Sequence, residues 1–223
     1  MIRVHHLNNS RSQRILWLLE ELNLVYEVKR YERDPKTMLA PAALKKVHPL
    51  GKSPLLEVND QILAESGAIV EYLVDHFDHE RKLSPGQDSP ARARFNYWLH
   101  YAEGSAMPPL LMSLIFNKIK TSPMPFFIKP VARGIADKVM SSFVGPQLTL
   151  HFDYLDAELG KQPWFGGKSF SAADIQMSFP IEAAAARLGF EKRPNLQRYL
   201  NAIQERPAYQ RALERGGPYQ LMG

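Results

Sequence analysis

Ser10 and Ser12 stand at the head of an apolar helical run, HHLNNSRSQRILWLLEEL from His5 to Leu22, in a chain without cysteine. Hydroxyls at a helix start do one of two things. They cap the free N–H groups of the first turn, and Ser10-x-x-Gln13 has the spacing of a capping box. Alternatively, Ser10, Ser12 or the amide of Asn9 holds a reactive anion that arrives with a ligand, at the positive end of the helix dipole. The absence of cysteine removes a protein thiol nucleophile, a dithiol redox cycle and any cysteine metal site.

Three further stretches carry chemistry. In HPLGKSPLLE, from His48 to Glu57, the Ser53-Pro54 pair precedes a strand. Proline cannot donate to a ladder, so it belongs at a strand entrance or edge. A cis bond there turns the Ser53 backbone outward, leaving its N–H and C=O for a peptide-like ligand, although an isolated Ser-Pro is usually trans. In LAESGAIVEYL, Glu65-Ser66 opens a helix. With Ser66 as N-cap, the first-turn N–H groups attract a carboxylate, and Glu65 suits an ammonium. The pair either grips an amino-acid terminus or only caps the helix. In FSAADIQMSF, Ser171-x-x-Asp174 is a capping-box pattern with Asp in the place of the usual Glu or Gln, and it reads as structural.

The elements that must position these residues follow from hydropathy patterning. IRVHHL reads as a strand, SQRILWLLEEL as an amphipathic helix with Ile15, Leu18, Leu19 and Leu22 on one face, and VYEVKRYE as a half-buried strand. A short helix in PAALKKVHP, strands in PLLEVND and QILAE, and a helix from Ser66 complete the order β-α-β-α-β-β-α, an α/β unit. A polar, turn-rich segment at 80–89 is the linker between domains 1–79 and 90–223. Everything after it reads helical. Pro108-Pro109 bend or interrupt the first long helix, and Gly145-Pro146 forms a kink or join in a later one.

The 223 residues suit one large domain or two small ones. Lys and Arg number 28 against 23 Asp and Glu, a net charge of +5, in short interrupted clusters. That is a solvated basic surface rather than a nucleic-acid patch, and it suits a small anionic ligand. The start of the sequence has no apolar core of signal-peptide length, and apolar runs are too short for a membrane span. A cytoplasmic protein with no membrane or nucleic-acid partner is expected.

Taken together and in this order, HPLGKSPLLE, AESGAIVEYL and FSAADI make the whole chain resemble the cytosolic-type glutathione transferases. SRSQRILWLLEEL, LKKVHPLGKSPLLEV, ILAESGAIVEYLVDHFDH and MPF are particularly similar to a fungal and bacterial serine-type branch. The resemblance implies a thioredoxin-like N-terminal domain followed by an all-helical one, and a detoxifying homodimer. It implies a cis bond before Pro54, a Ser53 backbone that pairs with the cysteinyl part of glutathione, and Glu65 and Ser66 holding the γ-glutamyl end. His48 and Lys52 would lie near the glycine carboxylate. Glutathione is then a co-substrate, attacking hydrophobic electrophiles or reducing peroxides. Two alternatives are a non-catalytic binding protein of the same fold and a glutathione-dependent disulfide reductase.

This chemistry needs a thiolate, and the ligand supplies the thiol. Lowering a thiol pKa from about 8.5 by two units takes roughly 2.7 kcal/mol. A helix N-terminus contributes up to about 2 kcal/mol and one charge-assisted hydrogen bond roughly 1.5–3 kcal/mol, so no protein base is required. The branch pattern of serine followed by arginine matches Ser10-Arg11 and favours Ser10 over Ser12 and Asn9 as the donor. Tyr97, Tyr101 and Met107, on the long helix that lines the electrophile pocket in this family, are candidate walls. His76 and His79 read as surface residues, His5 and His6 point to opposite faces of a strand, and no metal is expected.

Overall fold

The computed structural model describes residues 1–221. A four-stranded sheet in the order β2-β1-β3-β4 forms the first part. The central strand β1 (Ile2–Leu7) runs parallel to β2 (Glu27–Tyr31) and antiparallel to β3 (Leu55–Val58). β4 (Gln61–Ala64) pairs antiparallel with β3. A parallel pair needs a crossover, which α1 (Ser12–Glu21) supplies. Asn59 and Asp60 both adopt positive φ, 48° and 66°, as a two-residue turn between twisted antiparallel strands requires. The short helix expected after Pro41 is a single 3-10 turn, Ala42–Lys46, and α2 (Ser66–Phe77) closes this thioredoxin-like unit.

Helices make up the rest: α3 (Ala91–Tyr101), α4 (Met107–Thr121), α5 (Lys129–Val139), α6 (Gly145–Lys161), α7 (Ala172–Leu188), α8 (Pro194–Gln204) and α9 (Pro207–Gly216). Among the described residues, no helix is long and apolar enough to cross a membrane. The prolines act one turn earlier than their own positions. A π-helical turn at Ala102–Ala106 joins α3 to α4, and another at Met140–Val144 joins α5 to α6. Pro108, Pro109 and Pro146 each lack the N–H that would bond four residues back, and each ring presses on that carbonyl. The affected carbonyls, of Gly104, Ser105 and Ser142, lie in those two turns.

α1 departs from the amphipathic pattern. Every residue from Ser12 to Leu19 is buried. The sheet covers one side, and α7 and α9 cover the other, so one apolar core runs from Val4 and Leu18 through Phe179 to Tyr209. Trp17 meets the Tyr209 ring edge-on at 5.1 Å.

The capping box of α7 forms as its spacing predicts. Asp174, fully buried, accepts Ser171 N–H at 2.9 Å, Ser171 Oγ–H at 3.0 Å and Phe165 N–H at 2.7 Å. Burial pushes this carboxyl up to about 6, against the hydrogen bonds that pull it down. Asp174→Ala removes the cap and orphans two buried N–H groups. Unfolding in urea should show a loss of about 2–3 kcal/mol. A variant within about 0.5 kcal/mol of the parent would show that the box is not structural.

Candidate active site

A cleft of about 280 Å³ opens between the sheet unit and the helices. Its lining includes His48, Lys52, Ser53, Pro54, Glu65 and Ser66, all six residues singled out on the two short sequence stretches. Arg11 and Glu103 complete its wall from the α1 side and from the π turn after α3. Gly51, at φ +57°, makes the turn that delivers Lys52 and Ser53. A Cβ there would sit 2.6 Å from Lys45 Cγ. The Ser53–Pro54 bond is cis, and Ser53 Oγ donates to the His5 carbonyl at 3.0 Å.

Glu65 has φ 70° and ψ 119°, an unfavourable conformation for a residue with a Cβ. It occupies the cap position of α2, without a side-chain cap bond, and Ser66 is the first helical residue. The expected Ser66 cap is therefore not made. The Ser66 hydroxyl instead accepts from Arg14 Nη2 at 3.0 Å and Gln176 Nε2 at 3.2 Å. Its two lone pairs are filled, so its proton is left to donate.

Arg14, only 1% exposed, also donates to the Gln176 carbonyl at 2.5 Å and to Glu103 Oε1 at 2.6 Å. Arg11 Nε meets both Glu103 oxygens at 2.9 and 2.8 Å. Burial alone would push the Glu103 carboxyl up, but the Arg14 and Arg11 guanidiniums hold it below the usual range. The Phe179 ring lies under both guanidiniums, 4.9 Å from Arg11 and 5.2 Å from Arg14. Neither Glu103 nor Gln176 was singled out from the sequence. An arginine inside the run SQRILWLLEEL was the only available signal, and it did not reveal its partners.

The three donor candidates are now separated. Ser12 is fully buried, and its hydroxyl lies 2.8 Å from His6 Nδ1 and accepts Leu7 N–H at 3.2 Å. Asn9, at φ 50°, accepts Gln220 N–H on Oδ1 at 2.7 Å. Ser10, 4% exposed, sits between them, with its Oγ 2.8 Å from Ser12 Oγ. The Ser10–Gln13 capping box is absent, because α1 starts at Ser12 and Ser10 Oγ accepts Ser12 N–H at 3.3 Å. The Tyr101 hydroxyl is taken by His151 at 2.6 Å and Met107 is buried in the core, whereas Tyr97 is about half exposed. His5 reaches Tyr31 and Glu57, on the opposite side from His6.

Comparison with known proteins bears on what this arrangement serves. The family models "Glutathione S-transferase, N-terminal domain" and "Glutathione S-transferase, C-terminal domain" match residues 1–75 and 137–207. Glutathione S-transferase 1 of Saccharomyces cerevisiae is 42% identical over 96% of this chain and 95% of its own. This chain belongs to the glutathione S-transferase family. GstB of Escherichia coli, another glutathione S-transferase, is 32% identical over 96% of this chain and 98% of its own. The crystal structure of a glutathione S-transferase from Actinobacillus pleuropneumoniae superposes with a TM-score of 0.80. It is 33% identical and covers 97% of this chain and 93% of its own. The two-part fold is that of the family, and the enzyme is a glutathione transferase.

Proposed function

We propose that the cleft binds glutathione as a peptide-like anion and that Ser10 stabilises its thiolate for attack on hydrophobic electrophiles. The observation that carries this reading is the convergence of His48, Lys52, Ser53, Pro54, Glu65 and Ser66 on one cleft beside the head of α1. The Ser66 proton and the first N–H groups of α2 take the γ-glutamyl carboxylate, and Glu65 takes the ammonium. The Ser53 backbone pairs with the cysteinyl unit, and His48 and Lys52 lie towards the glycine carboxylate. The positive end of α1 and the Ser10 hydroxyl serve the sulfur.

The same thiolate reduces peroxides when a peroxide takes the electrophile's place. Tyr97, the most exposed of the three wall candidates, is assigned to the electrophile side ahead of Tyr101 and Met107. The enzyme works as a homodimer in the cytoplasm, in detoxification, without a metal.

Titration with glutathione, followed by ultraviolet thiolate absorbance, should show ionisation well below the free-thiol value of about 8.5. A panel of aryl halides, peroxides and disulfides then ranks the reactions. Absence of binding at millimolar glutathione would sink the reading. Binding without turnover on any of them would make the protein a carrier.

A further inference from the structure

The buried Ser12 hydroxyl has more neighbours than one proton can serve. His6 Nδ1 and Ser10 Oγ each lie 2.8 Å from it, the Leu7 N–H donates to it at 3.2 Å, and the Leu7 carbonyl lies at 3.3 Å. Where its proton goes depends on which nitrogen of the His6 ring carries the ring's proton. With Nδ1 on Ser12, the ring's other nitrogen, Nε2, is left for the end of α9, where Gly216 packs against the ring and its backbone favours a proton there. Burial and the nearby Arg30 charge on β2 hold the ring neutral, with its pKa pushed down to about 4. A neutral imidazole carries one proton. With that proton on Nε2, Nδ1 is a lone pair and takes the proton of Ser12. Ser12 Oγ then accepts from Leu7 N–H and has one lone pair left. Of the two remaining neighbours only Ser10 has a proton to give, since the Leu7 carbonyl is an acceptor, so Ser10 fills it.

We propose that His6 is a positioning residue for the sulfur site: acting through Ser12, it turns the Ser10 hydroxyl inward, away from the bound thiol. The proposal rests on the reading of Ser10 as the thiolate donor. In the resting site Ser10 meets glutathione as an acceptor for S–H. The thiol proton leaves to water, and nothing is transferred to His6. The Ser10 hydroxyl then swings out, exchanging its bond to Ser12 for one to the thiolate. The relay Ser10–Ser12–His6–Gly216 therefore works against ionisation, and its strength sets how far the thiol pKa falls.

Two variants release Ser10. Ser12→Ala removes the acceptor that holds it. His6→Gln keeps an amide that can reach the Gly216 carbonyl but offers no acceptor at the Nδ1 position. Each should lower the pKa of bound glutathione by about half to one unit, three- to ten-fold more thiolate at limiting pH, through the loss of one competing hydrogen bond. In a Ser10→Ala background neither should move it. Disruption of packing alone would weaken glutathione binding without lowering that pKa. If either single variant binds glutathione and its pKa stays or rises while Ser10→Ala raises it, the relay is overturned and the Ser10 reading stands. If Ser10→Ala itself leaves the pKa at the wild-type value, the Ser10 reading fails, and the relay with it.

Discussion

Ser10→Ala raises the pKa of bound glutathione and slows conjugation by about three- to ten-fold on the rising limb of the pH–rate profile. A hydrogen bond to a charged acceptor contributes roughly 1.5–3 kcal/mol, or about one to two pKa units of thiolate stabilisation. Its loss leaves about 10–100 times less thiolate well below both pKa values, and roughly 3–25 times less at pH 7 for a parent thiol two units below 8.5. A more basic thiolate is also a better nucleophile, with a Brønsted coefficient of about 0.4–0.5, which returns part of that factor. The inward pull of Ser12, 2.8 Å away, already offsets some of the Ser10 contribution in the parent enzyme, which keeps the expected loss towards the lower end. The decisive readout is the pH–rate profile. Its rising limb should move to higher pH, and the variant should approach the parent where both thiols are ionised. A profile that keeps its midpoint would remove Ser10 from the mechanism. The amide of Asn9, whose Oδ1 is held by Gln220 N–H while its NH₂ has no hydrogen-bond partner among the described residues, would then be the next donor to test.

What the sequence made legible here was local, and what it hid was distant. The cleft residues lie on two short stretches in which turn chemistry is written directly: Gly51 and Pro54 around Ser53, and Glu65-Ser66 at a helix mouth. The α7 box at Ser171 and Asp174 is equally local, and it formed. The similar spacing at Ser10 and Gln13 did not produce a box. Its serine hydroxyl faces another serine, whose own hydroxyl is taken by a histidine on the preceding strand. No window of α1 alone contains that competition. Likewise, α1 reads as amphipathic because its second apolar partner, α9, is almost 200 residues away in sequence. The Arg14–Glu103 pair spans 89 residues and depends on a π turn caused by prolines further along the chain. Periodicity carries no signal for such a pair.

Glu103→Ala should therefore be more damaging than its position on a cleft wall suggests. The parent carboxylate answers two guanidiniums, Arg11 and Arg14, and Arg14 is 1% exposed. Removing one partner of a buried ion pair leaves a charge that can neither reach water nor give up its proton, at about 3–5 kcal/mol. Damage should spread to the ligand, since the Arg14 group that meets Glu103 also holds Ser66 Oγ. The KM for glutathione should rise as the melting temperature falls. Glu103→Gln retains an acceptor oxygen for Arg14 and should recover part of both losses. The acid side adds a signed test. Because Glu103 titrates below its ordinary value of 4.5 in the folded enzyme, its contribution is complete above that pH and is lost as the pH falls through the folded value. Glu103→Gln should lose less stability than the parent across that acid range. An alanine variant that melts with the parent would mean that Arg14 is adequately satisfied by the Gln176 carbonyl and Ser66, and that the acid is dispensable to the fold.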